Sequence, residues 1–189
     1  MNRRRYLATS GLITISLAGC TTVGSERRLT ADDVIEDDGS VILPFSENGE
    51  DVFRIQFQKQ FIDDEKREYY PFFVASWQPA GIRLDSLRLE FRSPPYTAGF
   101  SPAGISLRED AHAYKATLSQ DGDDPSTTIL DMPDTTDIGR GSVRANLLLA
   151  GAHEQNPQEL WIGTEATLSD DGFWRTEYSA TGDFTVEFP

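Results

Sequence analysis

The sequence has very little of three residue types on which many functions depend: one cysteine, two histidines and three lysines in 189 residues. A single cysteine excludes an intramolecular disulfide, and two histidines argue against a structural zinc site. No apolar run reaches the roughly 20 residues of a membrane-spanning helix. The length suits one domain with a core, and an aromatic content of 11% argues against a disordered chain.

Basic residues are also scarce, since 17 Arg and Lys stand against 31 Asp and Glu, for a net charge of −14. A nucleic-acid partner is excluded, because binding a duplex requires Lys and Arg to replace counterions. Fourteen of the basic residues are Arg. Few lysines with many carboxylates resemble a haloarchaeal proteome, in which molar salt screens repulsion between acidic groups. An acidic secreted protein from an ordinary source is the alternative.

The first residues predict a targeting signal rather than part of the folded domain. A basic head precedes a short apolar run, 7–18, which is typical of a secretory signal. Arg3-Arg4-Arg5-Tyr6-Leu7 resembles a twin-arginine (Tat) signal, with Arg3 and Arg4 as the pair. Asn2 and Tyr6 depart mildly from that pattern.

Leu17-Ala18-Gly19-Cys20 resembles the lipobox of secreted lipoproteins. The leader as a whole resembles that of a haloarchaeal Tat-exported lipoprotein, which implies a signal peptide over 1–19 and a lipid on Cys20. The membrane would then be a partner through that lipid, with the protein on the outer face of the cytoplasmic membrane. Alternatively, Cys20 is an incidental residue of an uncleaved anchor. Residues 20–39 are polar and acidic and predict a tether.

From residue 40 to residue 189 the hydrophobic pattern has period two, which indicates half-buried strands. Phe53, Ile55 and Phe57 alternate with polar residues, as do the apolar residues of 86–92, 160–168 and 184–188. Residues 69–77 and 143–150 are apolar runs, and Trp77 is expected in the core. Turn signals separate the runs at Asn48-Gly49, Pro79-Ala80-Gly81, Asp121-Gly122, Asp171-Gly172 and Gly182-Asp183. The prediction is an all-β domain, a single β-sandwich that is immunoglobulin-like or jelly-roll in outline, with nine to ten strands.

No motif predicts catalysis. The sequence lacks a Gly-x-Ser-x-Gly elbow, and any Ser-His-Asp triad would have to use His112 or His153. We therefore assign no catalytic residue, and we expect no enzyme and no resident cofactor. Calcium is the one open possibility, because Asp121, Asp123 and Asp124 cluster in a loop. They do not match a twelve-residue calcium loop, and carboxylate runs are common in so acidic a chain.

Aromatic residues near the last hairpin give the one candidate binding site. Trp161 and Trp174 flank Asp171-Gly172, and an exposed pair with Tyr178 could stack a sugar ring or meet a protein. The alternative is that the sandwich buries one set of these aromatic side chains and a neighbouring loop covers the other. We predict a lipid-anchored extracytoplasmic binding or interaction module with an envelope protein or carbohydrate as partner. A secreted carboxylate-based hydrolase and a purely structural envelope lipoprotein are the alternatives.

Overall fold

The computed structural model describes residues 26–60, 69–92, 105–108, 116–124, 127–150, 159–173 and 175–187. These residues form strands connected by turns and loops. The strands are β1 Glu26–Ala31, β2 Ile35–Asp37, β3 Ser40–Glu47, β4 Glu50–Lys59, β5 Tyr69–Trp77, β6 Ile82–Arg92, β7 Ile105–Leu107, β8 Thr117–Gln120, β9 Thr127–Met132, β10 Ser142–Ala150, β11 Glu159–Asp170 and β12 Glu177–Glu187. The all-β prediction is confirmed, and the strand count in the described part of the chain is twelve rather than nine or ten.

The strands form two sheets that share β1. Sheet I has the order β1-β12-β11-β6-β9-β8, and sheet II has the order β7-β10-β5-β4-β3, with β2 and β1 both on the free edge of β3. Residues 26–29 of β1 run parallel to β12, and Thr30 and Ala31 then pair antiparallel with β3. All other pairings are antiparallel, as expected for a sandwich built largely from hairpins.

The core lies between the two sheets. It is formed by the side chains at every second strand position, which point inward from each sheet. Phe53, Ile55 and Phe57 of β4 are fully buried, which confirms their predicted parity. Phe72 connects the two sheets: its ring centroid lies 5.1 Å from that of Phe57 in sheet II and 6.0 Å from that of Phe91 in sheet I. Edge-to-face and offset ring pairs of this kind add to the stabilisation from burial.

The structure differs from the predicted tether over 20–39, because residues 26–37 contain two strands. Leu29 of β1 is only 3% exposed and lies opposite Ala180 of β12. The other residues of β1 and β2 are exposed, so these strands are held mainly by backbone pairing and leave no hydrophobic pattern in the sequence. The domain therefore begins before residue 40, and residues 20–25 lie outside the described residues.

Gly182 and Asp183 do not form the predicted turn, since both lie inside β12. A Cβ on Gly182 would lie 3.1 Å from atoms of Ala31, Leu43 and Phe45. A glycine in a strand commonly marks such a close approach of another chain segment. Here it lets β12 pack tightly against the place where β1 passes from sheet I to sheet II.

Other turns form as predicted. Asn48 and Gly49 both have positive φ, 54° and 83°, as a two-residue hairpin of this type requires. Asp171 and Gly172 lie in the connection between β11 and β12, which pair from Ser169 opposite Glu177 onward.

Trp77 is 43% exposed, which corrects its predicted place in the core. It occupies an outward position at the end of β5, opposite Arg54.

Candidate functional site

A shallow, open groove of about 440 Å³ crosses the outer face of sheet I over β9, β6, β11 and β12. We call it the sheet I groove. Its polar side chains are hydroxyl groups and three charged groups, contributed by Ser86, Thr167, Ser179, Thr181, Arg88, Asp131 and Glu165. Hydroxyl groups both donate and accept hydrogen bonds, so such a surface suits a ligand that does the same.

Strand register places these groups in two rows. Arg88 lies opposite Asp131 on one side and Glu165 on the other, and Ser86 lies opposite Thr167 in the neighbouring row. The β6–β11 register shifts between Thr167 and Leu168, which leaves Asp85 as an extra residue of β6. A bulge of this kind bends a sheet locally and re-aims side chains beside it.

The indole of Trp161 lies beyond the groove on the same outer face, near the N-terminal end of β11. Its Nε1 donates a hydrogen bond of 2.9 Å to Oδ2 of Asp183, and the Arg92 guanidinium carbon is 4.4 Å from the ring centroid. Gly163 lies under the ring, because a Cβ at that position would be 2.6 Å from Cη2 of Trp161. The partly exposed ring is therefore held by Gly163 beneath it, by Asp183 at its edge and by Arg92 across its face.

Gly163 is a site residue that the sequence reasoning missed. The signal was a glycine two residues after an aromatic residue within a strand pattern, where glycine often permits close approach by another group.

The predicted group of Trp161, Trp174 and Tyr178 is not assembled in the described residues. Tyr178 is 9% exposed and belongs to the core, on the inward parity of β12 with Ala180 and Phe184. It lies opposite Leu168, seven residues along β11 from Trp161, which is about 23 Å at the usual rise per strand residue. Burial raises the pKa of the Tyr178 phenol, as expected for a core position. Trp174 lies outside the described residues.

The three clustered aspartates are engaged in the β8–β9 turn. The backbone N–H of Asp123 donates to Oδ1 of Asp121 at 3.1 Å, and the Thr127 hydroxyl donates to Oδ2 of Asp124 at 2.9 Å. Within the described ranges, no group of three or more His, Cys, Asp or Glu residues is placed to hold a metal ion. These contacts do not support the calcium hypothesis.

Asp85, the extra residue at the bulge, forms a cluster with two arginines. Its carboxylate is 2.7 Å from Nε of Arg83 and 3.0 Å from a terminal nitrogen of Arg175, and its side chain is 14% exposed. Desolvation by burial opposes ionisation, but hydrogen bonds from Ser169, Arg83 and Arg175 outweigh it and lower the pKa of Asp85. This cluster stabilises the corner of sheet I.

Asp170, at the end of β11, also has a lowered pKa. Its main cause is the hydrogen bond from the backbone N–H of Thr176. The carboxylate thus fixes the β11–β12 connection.

The remaining predicted residues lie outside the described residues: Arg3, Arg4, Cys20, His112 and His153. In the part of the chain that is described, no helix has the length and apolar character needed to cross a membrane.

The chain belongs to the family described as a domain of unknown function (DUF8121), whose sequence profile matches residues 26–189. That match includes β1 and β2, in agreement with their place in the fold. No curated protein matches the sequence.

Among solved structures, the chain is similar to the collagen-binding domain from a Staphylococcus aureus adhesin, with 11% identity and a TM-score of 0.35 over 67% of this chain and 95% of that one. It is also similar to the major pilin SpaD from Corynebacterium diphtheriae, with 7% identity and a TM-score of 0.41 over 78% of this chain and 46% of that one. The human F-spondin reeler domain gives 5% identity and a TM-score of 0.37, over 71% and 88%. Likenesses this distant carry no information about a ligand of this chain.

Proposed function

We propose that this protein is an extracytoplasmic binding module, held at the cell envelope by a lipid on Cys20, that contacts an envelope protein or carbohydrate through the outer face of sheet I. One observation carries the proposal: an open, hydroxyl-lined groove shares this face with the indole of Trp161, which is fixed by Asp183, Arg92 and Gly163. Fixed aromatic rings and satisfied polar groups bind with little loss of conformational entropy.

The groove is tested by filling it. Thr167→Arg introduces a long side chain at an exposed position of the groove floor, and Trp161→Ala removes the ring. Gly122→Arg is the matched control, because nothing lies within 4 Å of a Cβ at that turn position. The full chain is used to capture partners from detergent-solubilised membranes at native salinity.

We expect the wild type and the Gly122→Arg variant to recover the same partner, and the Thr167→Arg and Trp161→Ala variants to lose it. Recovery of that partner by the Thr167→Arg and Trp161→Ala variants would overturn the proposed surface. Recovery of no partner by the wild type would favour a purely structural envelope component.

Membrane attachment rests on the sequence around Cys20. Cys20→Ser removes the only thiol, so the protein should move from the membrane fraction to the medium. Retention of the variant in membranes would contradict the lipid anchor.

Export by the Tat route rests on Arg3 and Arg4. Their joint replacement by lysine should block export, whereas Arg5→Lys at the variable position should not. Normal export of the double variant would remove the assignment.

Adaptation to high salt is the third part of the proposal. The charge of −14, with Lys59, Lys66 and Lys115 as the only lysines, supports it. Circular dichroism should show a strand spectrum at molar salt that is lost on dilution. A cooperative fold of equal stability in dilute buffer would contradict the halophilic origin.

A carboxylate-based hydrolase, the alternative from the sequence, gains no support from the described residues. The pKa values of Asp85 and Asp170 are both lowered. A general acid in a glycoside hydrolase needs a raised pKa.

A further inference from the structure

Part of the outer face of sheet II has a different charge from the outer face of sheet I in the residues that the structure describes. We call the outward positions of β4 from Arg54 onward, of β5 and of β10, together with Gln60 after β4 and Arg108 after β7, the sheet II face. They are occupied by Arg54, Gln56, Gln58, Gln60, Pro71, Phe73, Ala75, Trp77, Ser142, Arg144, Asn146, Leu148 and Arg108. None of these positions carries a carboxylate, and the carboxylate of Asp51, at the bulged start of β4, reaches this face as the ion-pair partner of Arg54.

The outer face of sheet I makes the contrast plain. Its outward positions on β6, β9, β11 and β12 carry three arginines and six carboxylates, namely Arg83, Arg88, Arg92, Glu90, Asp131, Glu165, Glu177, Asp183 and Glu187. Salt adaptation alone would spread acidic residues over both faces. Of these two faces, the sheet II face is therefore the one that repels an anionic partner less.

Two arginines of the sheet II face are held by amides. Arg144 Nε donates to Oδ1 of Asn146 at 3.0 Å, and a terminal nitrogen of Arg108 donates to Oε1 of Gln60 at 3.3 Å. The Gln60 amide nitrogen lies 3.5 Å from the same Asn146 oxygen, which completes the link. Among the described residues, no carboxylate forms an ion pair with Arg108 or Arg144.

These two guanidinium groups are exposed and keep unused donors. Each carries five N–H groups in a planar fork that matches carboxylate or sulfate oxygens. The guanidinium carbon of Arg144 also lies 3.7 Å from the centroid of the Phe73 ring, which restrains its side chain. Arg54 differs, because Asp51 already neutralises it.

We propose that the sheet II face binds an acidic polysaccharide, a chain that carries both hydroxyl groups and carboxylate or sulfate groups. The guanidinium forks of Arg108 and Arg144 bind the anionic groups. The Gln58 amide, the amide oxygen of Gln56 and the amide nitrogen of Asn146 bind hydroxyls, because the Gln56 nitrogen already donates to Ser40 and the Asn146 oxygen already accepts from Arg144 and Gln60. The exposed ring of Trp77 offers a stacking surface for a sugar.

The mixture of groups favours a polysaccharide over an acidic polypeptide or a second copy of this chain. An acidic polypeptide presents mainly carboxylates, which need only hydrogen-bond donors. This face also offers amide oxygens, which accept hydrogen bonds and suit the hydroxyl groups of a sugar. Two copies meeting through this face would bring like charges together. The inference concerns the face opposite the sheet I groove, so it does not depend on the proposed partner of that groove.

The test uses the full chain purified in detergent at molar KCl, where long-range attraction is screened and direct hydrogen bonds remain. Titration calorimetry measures binding of polygalacturonate and dextran sulfate, with dextran as the neutral polymer and polyglutamate as the acidic polypeptide. The variants are Arg108→Gln with Arg144→Gln, and Arg108→Lys with Arg144→Lys. Arg27→Gln is the control, since it removes one exposed positive charge from β1.

We expect at least one of the two acidic polysaccharides to bind and dextran not to bind. The double Gln variant should bind at least about tenfold more weakly, because two charge-assisted contacts are lost. The double Lys variant should be intermediate, since lysine keeps the charge but not the fork. The Arg27→Gln variant should bind like the wild type.

Equal binding of dextran or stronger binding of polyglutamate would overturn the proposal, as would failure of both acidic polysaccharides. Wild-type affinity in the double Gln variant would overturn it too. Light scattering measures the oligomeric state of the wild type and of the double Gln variant. If the wild type is a dimer that binds no polysaccharide, and the double Gln variant is a monomer, the face is assigned to a second copy of the chain instead. Unchanged unfolding temperatures of these exposed variants would show that any loss of affinity is not a loss of folding.

Discussion

The backbone of Gly139 is packed against that of Leu84, so that the Leu84 N–H donates to the Gly139 carbonyl at 2.8 Å. Gly139 belongs to the segment between β9 and β10, and Leu84 lies beside the bulge of β6. The Thr135 hydroxyl donates to the Leu84 carbonyl at 2.7 Å, and the amide nitrogen of buried Gln78 donates to the Gly139 carbonyl. Backbone contacts thus help to close this end of the sandwich.

Gly139→Ala should destabilise the protein by about 3 kcal/mol, because an added Cβ would collide with the Leu84 carbonyl oxygen and lie 2.8 Å from that of Thr135. Backbone on both sides leaves no flexible side chain to move away. Chemical denaturation at molar salt measures the change. Gly122→Ala, with open space around its Cβ, is the control and should stay within about 0.5 kcal/mol of the wild type. Equal stability of the two variants would contradict the close packing.

Leu29→Ala should cost about 2–3 kcal/mol of folding free energy, because the side chain is 3% exposed and packs in the core. A residue in a tether would show no such effect. Val34→Ala, at a position 42% exposed, serves as the neighbouring control and should have little effect. If the Leu29→Ala variant is as stable as the wild type, residues 26–31 are not part of the folded domain and the predicted tether includes them.

Asp85→Asn should lower stability at neutral pH. The pKa of Asp85 is lowered below its usual 3.8, so its carboxylate favours the folded state above that pH. This contribution is lost as the pH falls through the lowered pKa, and the difference between variant and wild type should narrow there. Denaturant titrations from pH 7 to pH 3 measure it. Arg175→Gln, which removes one of the partners, should give a smaller loss at neutral pH. A difference that does not depend on pH would contradict the role of the carboxylate.

Gly163→Ala should displace the indole of Trp161 with little change in stability. The added Cβ overlaps the ring, while alanine is at least as favourable as glycine within a strand. The indole N–H would then lose its hydrogen bond to Asp183, which is seen as an upfield shift of that proton in an NMR spectrum. Assignment uses the Trp161→Phe variant, in which the signal is absent. An unmoved resonance would show that Gly163 does not position the ring.

Strands with strict alternation were the ones that the sequence predicted well. In β4, β6, β11 and β12, the apolar parity named in advance is the buried parity. The strands that were missed, β1, β2, β7 and β9, have three to six residues each. β1 buries one side chain, Leu29, and β2 buries none, so their backbone pairing has no apolar signature. β9 does bury Ile129, Leu130 and Met132, but it is too short for a period of two to stand out.

The candidate site was predicted only in part, because it depends on which strands become neighbours. Trp161 was named, but its partners Arg92 and Asp183 lie on β6 and β12 and meet it only through the strand register. Tyr178 was grouped with it by nearness in the hairpin, although its inward parity was readable from Ala180, Phe184 and Val186.

The sequence alone determined the all-β class, the inward face of the long strands and several of their turns, because a period of two and turn residues such as Asn48-Gly49 act over a few neighbouring positions. Only the tertiary structure decided that β1 passes between the sheets, that the Arg88 row and the Trp161 ring share one outer face, and that Arg108 and Arg144 are linked through Gln60 and Asn146 on the opposite face. Those features arise from register and strand order. They join residues far apart in the chain, and no local pattern encodes which strands will pair.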